Sequence, residues 1–350
     1  MKLVCYTYVT DFTFKEFLYM NITEFAEYAG VSKAAVSRYF NKGYLAADKK
    51  AIIEKAIAET GYSPSLQAQT IRTKRTKLIG VILPKLSSES CARVAEGISE
   101  VLGSQGYELL LVNTDNNPDN EVKYLDIFRQ NRVDGVIFLA SIFTPSHKSV
   151  LKNMRIPVVI VGQEYQGFNC VSHDDFGAAY ALTKLMLERG GKRPAYLGVT
   201  AKDEAAGLAR HDGYIAALKE KKIPPKPQYM KTCQFNMESG FQQAKAMLES
   251  VSPRPDCIFC ATDNIAIGAS QYCLQNGIRI PEDIMLASVG DTKLGSVAAV
   301  PLTTAHLHYR TSGFDAANML LSKLQKKDSV SHSVKLGYEI ITRRSTMSDE

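Results

Sequence analysis

From Lys77 onward the chain alternates short, almost wholly apolar runs with longer segments of helical periodicity, and no other feature limits its fold so strongly. The apolar runs are Leu78–Leu83, Leu109–Val112, Gly135–Leu139, Val158–Val161, Ala195–Gly198, Cys257–Cys260 and Met285–Val289. Too short for helices and nearly all apolar, they read as strands buried on both faces. The periodic segments, Cys91–Leu102, Glu121–Asn131, Phe176–Arg189, Ala206–Lys219, Glu238–Glu249 and Ile265–Gln275, read as helices. Strands joined through helices pair in parallel, because a parallel pair needs a long crossover, and the helices then cover both faces of the sheet. About 270 residues exceed what one core serves, so the expectation is a doubly wound α/β core of two lobes with a cleft between them.

Ligands of open α/β sheets sit at the carboxyl ends of the strands, which makes the residues just after each strand the candidates. Gln163 follows Val158–Val161, Thr262 and Asp263 follow Cys257–Cys260, Asp291 follows Met285–Val289, and Arg210 stands ahead of the GYIAAL helical segment. Planar bidentate groups suit the vicinal hydroxyls of a sugar, and aromatic faces suit the C–H side of its ring. Arg210 and Asp263 fit the first role, and Phe235 or Phe143 the second.

A different pattern fills the front of the chain. In Ile22–Asn41 one apolar-periodic run stops at Gly30-Val31, and a second begins behind Ser32, a residue that caps helices. Gly30 supplies the positive φ that a tight turn needs, so the segment reads helix, turn, helix. On the second helix Ala35, Val36 and Tyr39 pack inward, leaving Ser32, Lys33, Ala34, Ser37 and Arg38 outward without an acidic residue among them. Such a face suits the major groove, its cations meeting phosphates and its first residues meeting base edges. Thr23 and Asn41, at the two ends of the motif, join the DNA-binding candidates. A third amphipathic segment, Lys49–Thr60, stops at Gly61.

Charge is distributed to match. The formal net charge is +6, and Met20 to Arg75 holds nine Lys and Arg against five Asp and Glu, so the small front unit carries most of the surplus. That unit calls for a polyanionic partner. Residues 64–76 are poor in large aliphatics and read as a solvated linker, with the apolar Ile71 standing beside Arg72, Lys74 and Arg75. Seven irregularly spaced cysteines argue for a reducing compartment over a disulfide framework. No apolar run reaches the roughly 18 residues of a membrane span. Residues 1–19 do not read as a signal peptide. We expect them to be an extension ahead of a biological start at Met20.

Several segments carry a specific resemblance: Ala26 to Ser32 (AEYAGVS), Val36-Ser37-Arg38, Asn41, Gly61-Tyr62-Ser63-Pro64 and Lys77 to Val81 (KLIGV). On these the chain resembles the LacI/GalR family of bacterial repressors from about Asn21 to about Arg344. The resemblance implies a helix-turn-helix headpiece over 20–63, a hinge over 64–76 and a periplasmic-binding-protein-like core over 77–350. It implies a homodimer on palindromic double-stranded operator DNA, with a sugar effector in the cleft and no cofactor. The hinge would order on DNA and insert Ile71 into the minor groove, with Arg72 and Lys74 on the bent backbone. Arg210 matches the family's sugar-hydroxyl arginine, Asp263 the acidic residue of its "TD" turn, and Phe235 its stacking aromatic. The sequence departs at Val289-Gly290-Asp291-Thr292, where the family usually has an aromatic between the glycine and the aspartate. Lobe crossings would fall near Val171–His173, Thr304–His306 and Ser322–Lys326. The Leu302–Thr304 run looks most like repressors of sucrose, trehalose and related oligosaccharide operons.

The expectation is therefore a cytoplasmic, nucleoid-associated repressor of a carbohydrate operon, with no membrane partner and no enzyme activity. A member of the same family that needs a purine or protein co-repressor is the alternative. A soluble sugar-binding protein without DNA function is a further one, against which the basic front unit argues. Cys257 and Cys260 have metal or redox spacing but lack a second pair, and in a strand would face opposite sides of the sheet. His173-Asp174-Asp175 reads as a helix cap rather than a site. No nucleophile elbow, phosphate loop or HExxH appears.

Overall fold

The computed structural model describes residues 20–41, 43–63, 75–131, 133–325 and 330–347. They form two units, divided between Thr76 and Lys77. The 1–19 extension, most of the hinge and its residues Ile71, Arg72 and Lys74 lie outside the described residues.

The front unit holds α1 (Ile22–Tyr28), α2 (Lys33–Phe40) and α3 (Ala47–Thr60). Asn21 caps α1 reciprocally: its side chain accepts from Thr23 N at 2.8 Å, while Glu24 accepts from Asn21 N at 2.8 Å. At the turn Gly30 takes φ +63°, and the Val31 amide returns to the Ala26 carbonyl at 3.0 Å. Ser32 then caps α2 by accepting from Ala35 N at 3.2 Å. Phe25, Ala26, Val36, Ile53, Ala56 and Tyr62 close the core. The Phe25 and Tyr62 rings stack 4.1 Å apart, so the residue after Gly61 seals the unit.

The second unit has two lobes. The first contains β1 (Leu78–Leu83), α4 (Glu89–Ser104), β2 (Glu108–Asn113), α5 (Pro118–Gln130), β3 (Gly135–Leu139), α6 (Pro145–Lys152), β4 (Val158–Val161) and β5 (Asn169–His173). In the second are α7 (Asp175–Glu188), β6 (Pro194–Gly198), α8 (Arg210–Glu220), β7 (Met230–Thr232), α9 (Met237–Ser250), β8 (Cys257–Cys260), α10 (Asp263–Gln275), β9 (Met285–Val289), α11 (Lys293–Ser296) and β10 (Thr303–Leu307). The chain returns to the first lobe as α12 (Tyr309–Leu324) and β11 (Ser333–Leu336), and ends in the second as β12 (Tyr338–Ile341).

Each sheet has six strands, ordered β11-β5-β4-β3-β1-β2 and β12-β10-β9-β8-β6-β7. Every pairing is parallel except β10 with β12. Both lobes thus share one doubly wound order, with its switch point between β1 and β3 in the first and between β6 and β8 in the second. All seven expected strands and all six expected helices are present, with ends shifted by a few residues, but β2 is an edge strand and not buried on both faces, since Leu110 and Leu111 are 40% and 47% exposed. Strands β5 and β10 were not legible because they carry Asn169, Ser172, His173, Thr303 and Thr304, buried polar residues that an apolar-run criterion rejects.

The lobe crossings correct two expectations. The first falls after His173, as placed. The second falls at His308, because Thr304 and His306 are inside β10. The third is at Gly337, between β11 and β12, because α12 runs unbroken to Leu324 through the expected position. Packing of α12 on α4 explains that continuity: a Cβ on Gly97 would sit 2.1 Å from the Arg310 carbonyl, so these helices meet backbone to backbone. Cys257 and Cys260 enter different core clusters on the two sides of their sheet.

Candidate functional site

Helix α2 presents Ser32, Lys33, Ala34 and Arg38 exposed and Ser37 half-buried, with Ala35 and Val36 buried beneath. Thr23 is half-buried, its amide held by Asn21. Asn41 ends α2, its amide group donating to the Ser37 carbonyl and to Ser37 Oγ at 3.3 Å. Tyr44, in the loop after α2, is 93% exposed, and the sequence reading passed over it. An aromatic held out by a short loop is a further candidate for contact with nucleic acid.

In the core, the residues following the switch-point strands converge on two adjoining cavities of about 540 and 600 Å3. Pro84 and Lys85 follow β1, Ala140 and Ser141 follow β3, Thr200 and Asp203 follow β6, and Thr262 and Asp263 follow β8. Of the expected ligands, Arg210, Phe235 and Asp263 are brought together in this wall, with Thr262.

Arg210 is 5% exposed and ion-paired to Asp175, with Nε and Nη2 at 2.8 and 2.7 Å from Oδ1 and Nη1 donating to the Ala261 carbonyl. Burial, the largest single influence, would lower the guanidinium's pKa, but the charge and hydrogen bond of Asp175 together with Tyr309 and Asp203 outweigh it and raise the value. Asp263 Oδ1 accepts from Ser288 Oγ at 2.6 Å and Thr304 Oγ1 at 2.8 Å, and Oδ2 from Thr292 N at 2.7 Å and Thr292 Oγ1 at 2.9 Å. Four donors fix this carboxylate at the start of α10. Phe235 borders both cavities.

Three expected ligands are placed elsewhere. Phe143 stacks on Tyr165 at 4.7 Å in the first lobe and does not line either cavity. Gln163 is buried behind the wall, its amide donating to the Ser141 carbonyl. Asp291 turns away from the cleft to Arg343 Nη2 at 2.6 Å and His306 Nδ1 at 2.9 Å. Burial would raise its pKa, but those two partners outweigh it and hold the carboxyl below the ordinary range. Gln163 and Asp291 follow β4 and β9, and partners within their own lobes, Ser141 for the first and His306 with Arg343 for the second, draw their side chains out of the cleft.

The cavity also contains residues that the sequence reading set aside. Asp174 does cap α7, accepting from Gly177 N at 2.9 Å, but His173 and Asp175 line the wall. The same rule of looking just past a strand end would have found them after β5. His173 Nε2 is buried without a hydrogen-bond partner, and burial lowers the ring's pKa. Asp203 accepts from Ala205 N and Ala206 N at 3.0 and 2.9 Å, and burial pushes its carboxyl up to about 6. In the first lobe Ser141 donates to Glu121 at 2.5 Å, and Glu121 bonds His147 at 3.1 Å, all three being buried.

A cationic helix-turn-helix unit and a two-lobed cleft with a polar, partly aromatic wall define a DNA-binding regulator that answers to a small ligand. Residues 21–65 match the model for bacterial regulatory proteins of the lacI family, and residues 76–343 that for periplasmic binding proteins and the sugar binding domain of the LacI family. The chain belongs to the LacI family of transcription regulators. It is 30% identical to the sucrose operon repressor of Staphylococcus xylosus over 305 residues, 87% of this chain and 94% of that one. It is 31% identical to the repressor PurR of Photorhabdus laumondii subsp. laumondii over 332 residues, 93% and 96% of the two chains. Its fold matches that of the Lac repressor dimer bound to operator and the anti-inducer ONPF, with a TM-score of 0.85 and 23% identity over 94% of this chain and 99% of that one. Among the described residues no helix is long and apolar enough to cross a membrane.

Proposed function

We propose that the chain is a dimeric repressor of a carbohydrate-utilisation operon, released from its operator by a sugar bound between the lobes of the core. The observation that carries this reading is the joining of Arg210, Asp263 and Phe235 in one cleft wall, in a chain that also bears a cationic recognition helix. The sucrose operon relative supports it, as does the likeness of fold to a regulator, CelR, solved with cellobiose. Since its partner is DNA, we place the protein in the cytoplasm, on the nucleoid, and read it as a regulator and not an enzyme.

Release requires the sugar to prefer the lobe arrangement that cannot hold DNA. Each tenfold preference biases the equilibrium by about 1.4 kcal/mol. Mobility shift of an operator duplex with and without mono- and disaccharides tests the reading: a sugar that lowers the shifted fraction supports it. The PurR relatives favour a second reading, in which a purine co-repressor raises that fraction instead.

A further inference from the structure

We propose that the cleft is built for an uncharged ligand of at least two sugar rings and rejects phosphorylated sugars; this rests on the reading that the effector is a carbohydrate. Size is the first argument. The two cavities share Lys85, Asn116, Ser141, Asp203, Phe235 and Asn236 in their walls, so they are adjoining compartments of one cleft. Each volume alone lies within the roughly 300–1,000 Å3 of a site for a drug-sized molecule, so a single ring leaves most of the joined cleft unfilled. Phe235 borders both and offers its ring at the junction, where a second sugar ring can lie against it.

Charge is the second. Along both walls the cations are Lys85 and Arg210, and the acids are Glu89, Asp115, Asp175, Asp203 and Asp263. Arg210 is neutralised by Asp175, and Glu89 is paired with Arg93 at 2.7 Å. Asp115, Asp203 and Asp263 remain against one lysine. Helix amino ends that open toward a cleft ordinarily attract phosphate. Here the first turns of α4, α7 and α10 already contain Glu89, Asp175 and Asp263, so a dianion entering the cleft meets carboxylates where it would need free amides. Neutral hydroxyls, by contrast, can donate to the Asp203 carboxylate, held by backbone amides through Oδ1, and pair with the unpartnered Nε2 of His173, a buried ring that its surroundings keep neutral.

Isothermal titration of the full chain tests this with sucrose, trehalose, maltose and cellobiose, their 6-phosphates, the component monosaccharides and a purine base. One neutral disaccharide should bind at least tenfold more tightly than its monosaccharides and than its phosphate ester. Phe235→Leu should shrink the preference for two rings over one, and Asp203→Asn the preference for neutral over phosphorylated sugar. Retained operator binding would show that both variants are folded. A 6-phosphate or a monosaccharide that binds as tightly as the neutral disaccharide overturns the inference and leaves the sugar-released repressor standing. Binding of the purine alone, or of none of these compounds, overturns both.

Discussion

Arg93, on α4 of the first lobe, donates through Nη2 to the carbonyl oxygen of Asp291 in the second lobe at 2.8 Å. Its neighbour Glu89 accepts from the Lys293 amide at 2.9 Å, and the two side chains pair with each other. A pair of adjacent helical turns therefore holds the lobes together at one rim of the cleft. Asp291 adopts φ +49° there, in the left-handed region, with Arg343 and His306 anchoring its side chain behind the turn.

Arg93→Ala removes the charged half of this contact. A hydrogen bond from a charged donor contributes about 1.5–3 kcal/mol, enough to shift a lobe equilibrium by more than tenfold. The ligand-free protein should then show a larger radius of gyration in solution scattering with unchanged circular dichroism. Identical scattering curves for the variant and the parent would refute the latch.

Asp291→Asn should destabilise the core by about 1–3 kcal/mol at neutral pH, because it leaves the Arg343 guanidinium without its carboxylate. The folded pKa of Asp291 is depressed, so its contribution is full above the unfolded value near ~4 and disappears as pH falls through the folded value. Denaturant curves of parent and variant should differ at pH 7 and converge in acid. Sugar affinity should survive, since the carboxylate faces His306 and Arg343; a loss of more than tenfold would place Asp291 back in the cleft.

Replacing Arg210 by Ala strands the Asp175 charge in the wall, a loss of about 3–5 kcal/mol for a buried pair. Asp175→Asn should cost less, and the double variant Arg210→Ala with Asp175→Asn should recover part of the difference. Operators should remain bound by these variants and no longer be released by sugar. Strictly additive losses in thermal unfolding would deny the pairing.

Lys33 and Ala34 lie where the recognition helix begins, so substitutions there should change which operator variants bind. Lys74→Ala should weaken every sequence alike and flatten the salt dependence by about one unit of slope. Uniform weakening by Lys33 substitutions would make that lysine a phosphate contact alone.

The apolar runs and helical periods of the core were legible because a buried parallel strand has few ways to be written. Where polar side chains satisfy one another inside the protein, that signature fails: Thr303 and Thr304 sit in β10 because Ser345, Arg343 and Asp263 complete their hydrogen bonds. The same limit divided the site. Arg210 and Asp263 follow from the rule that ligands meet strand ends, and so would His173, Asp175 and Asp203 have done. That Asp291 and Gln163 obey the rule in sequence and leave the cleft in space depends on Arg343, His306 and Ser141, residues up to 52 positions away.

By itself the sequence determined what each segment is, a capped helix pair with a cationic face and a series of buried strands with their crossovers, because those properties depend on neighbours along the chain. Which polar groups look into the cleft, how two compartments join at Phe235 and how Arg93 reaches the opposite lobe were decided by the tertiary structure. Those relations exist between residues as far as 198 positions apart, and no local pattern encodes the direction in which a side chain will find its partner.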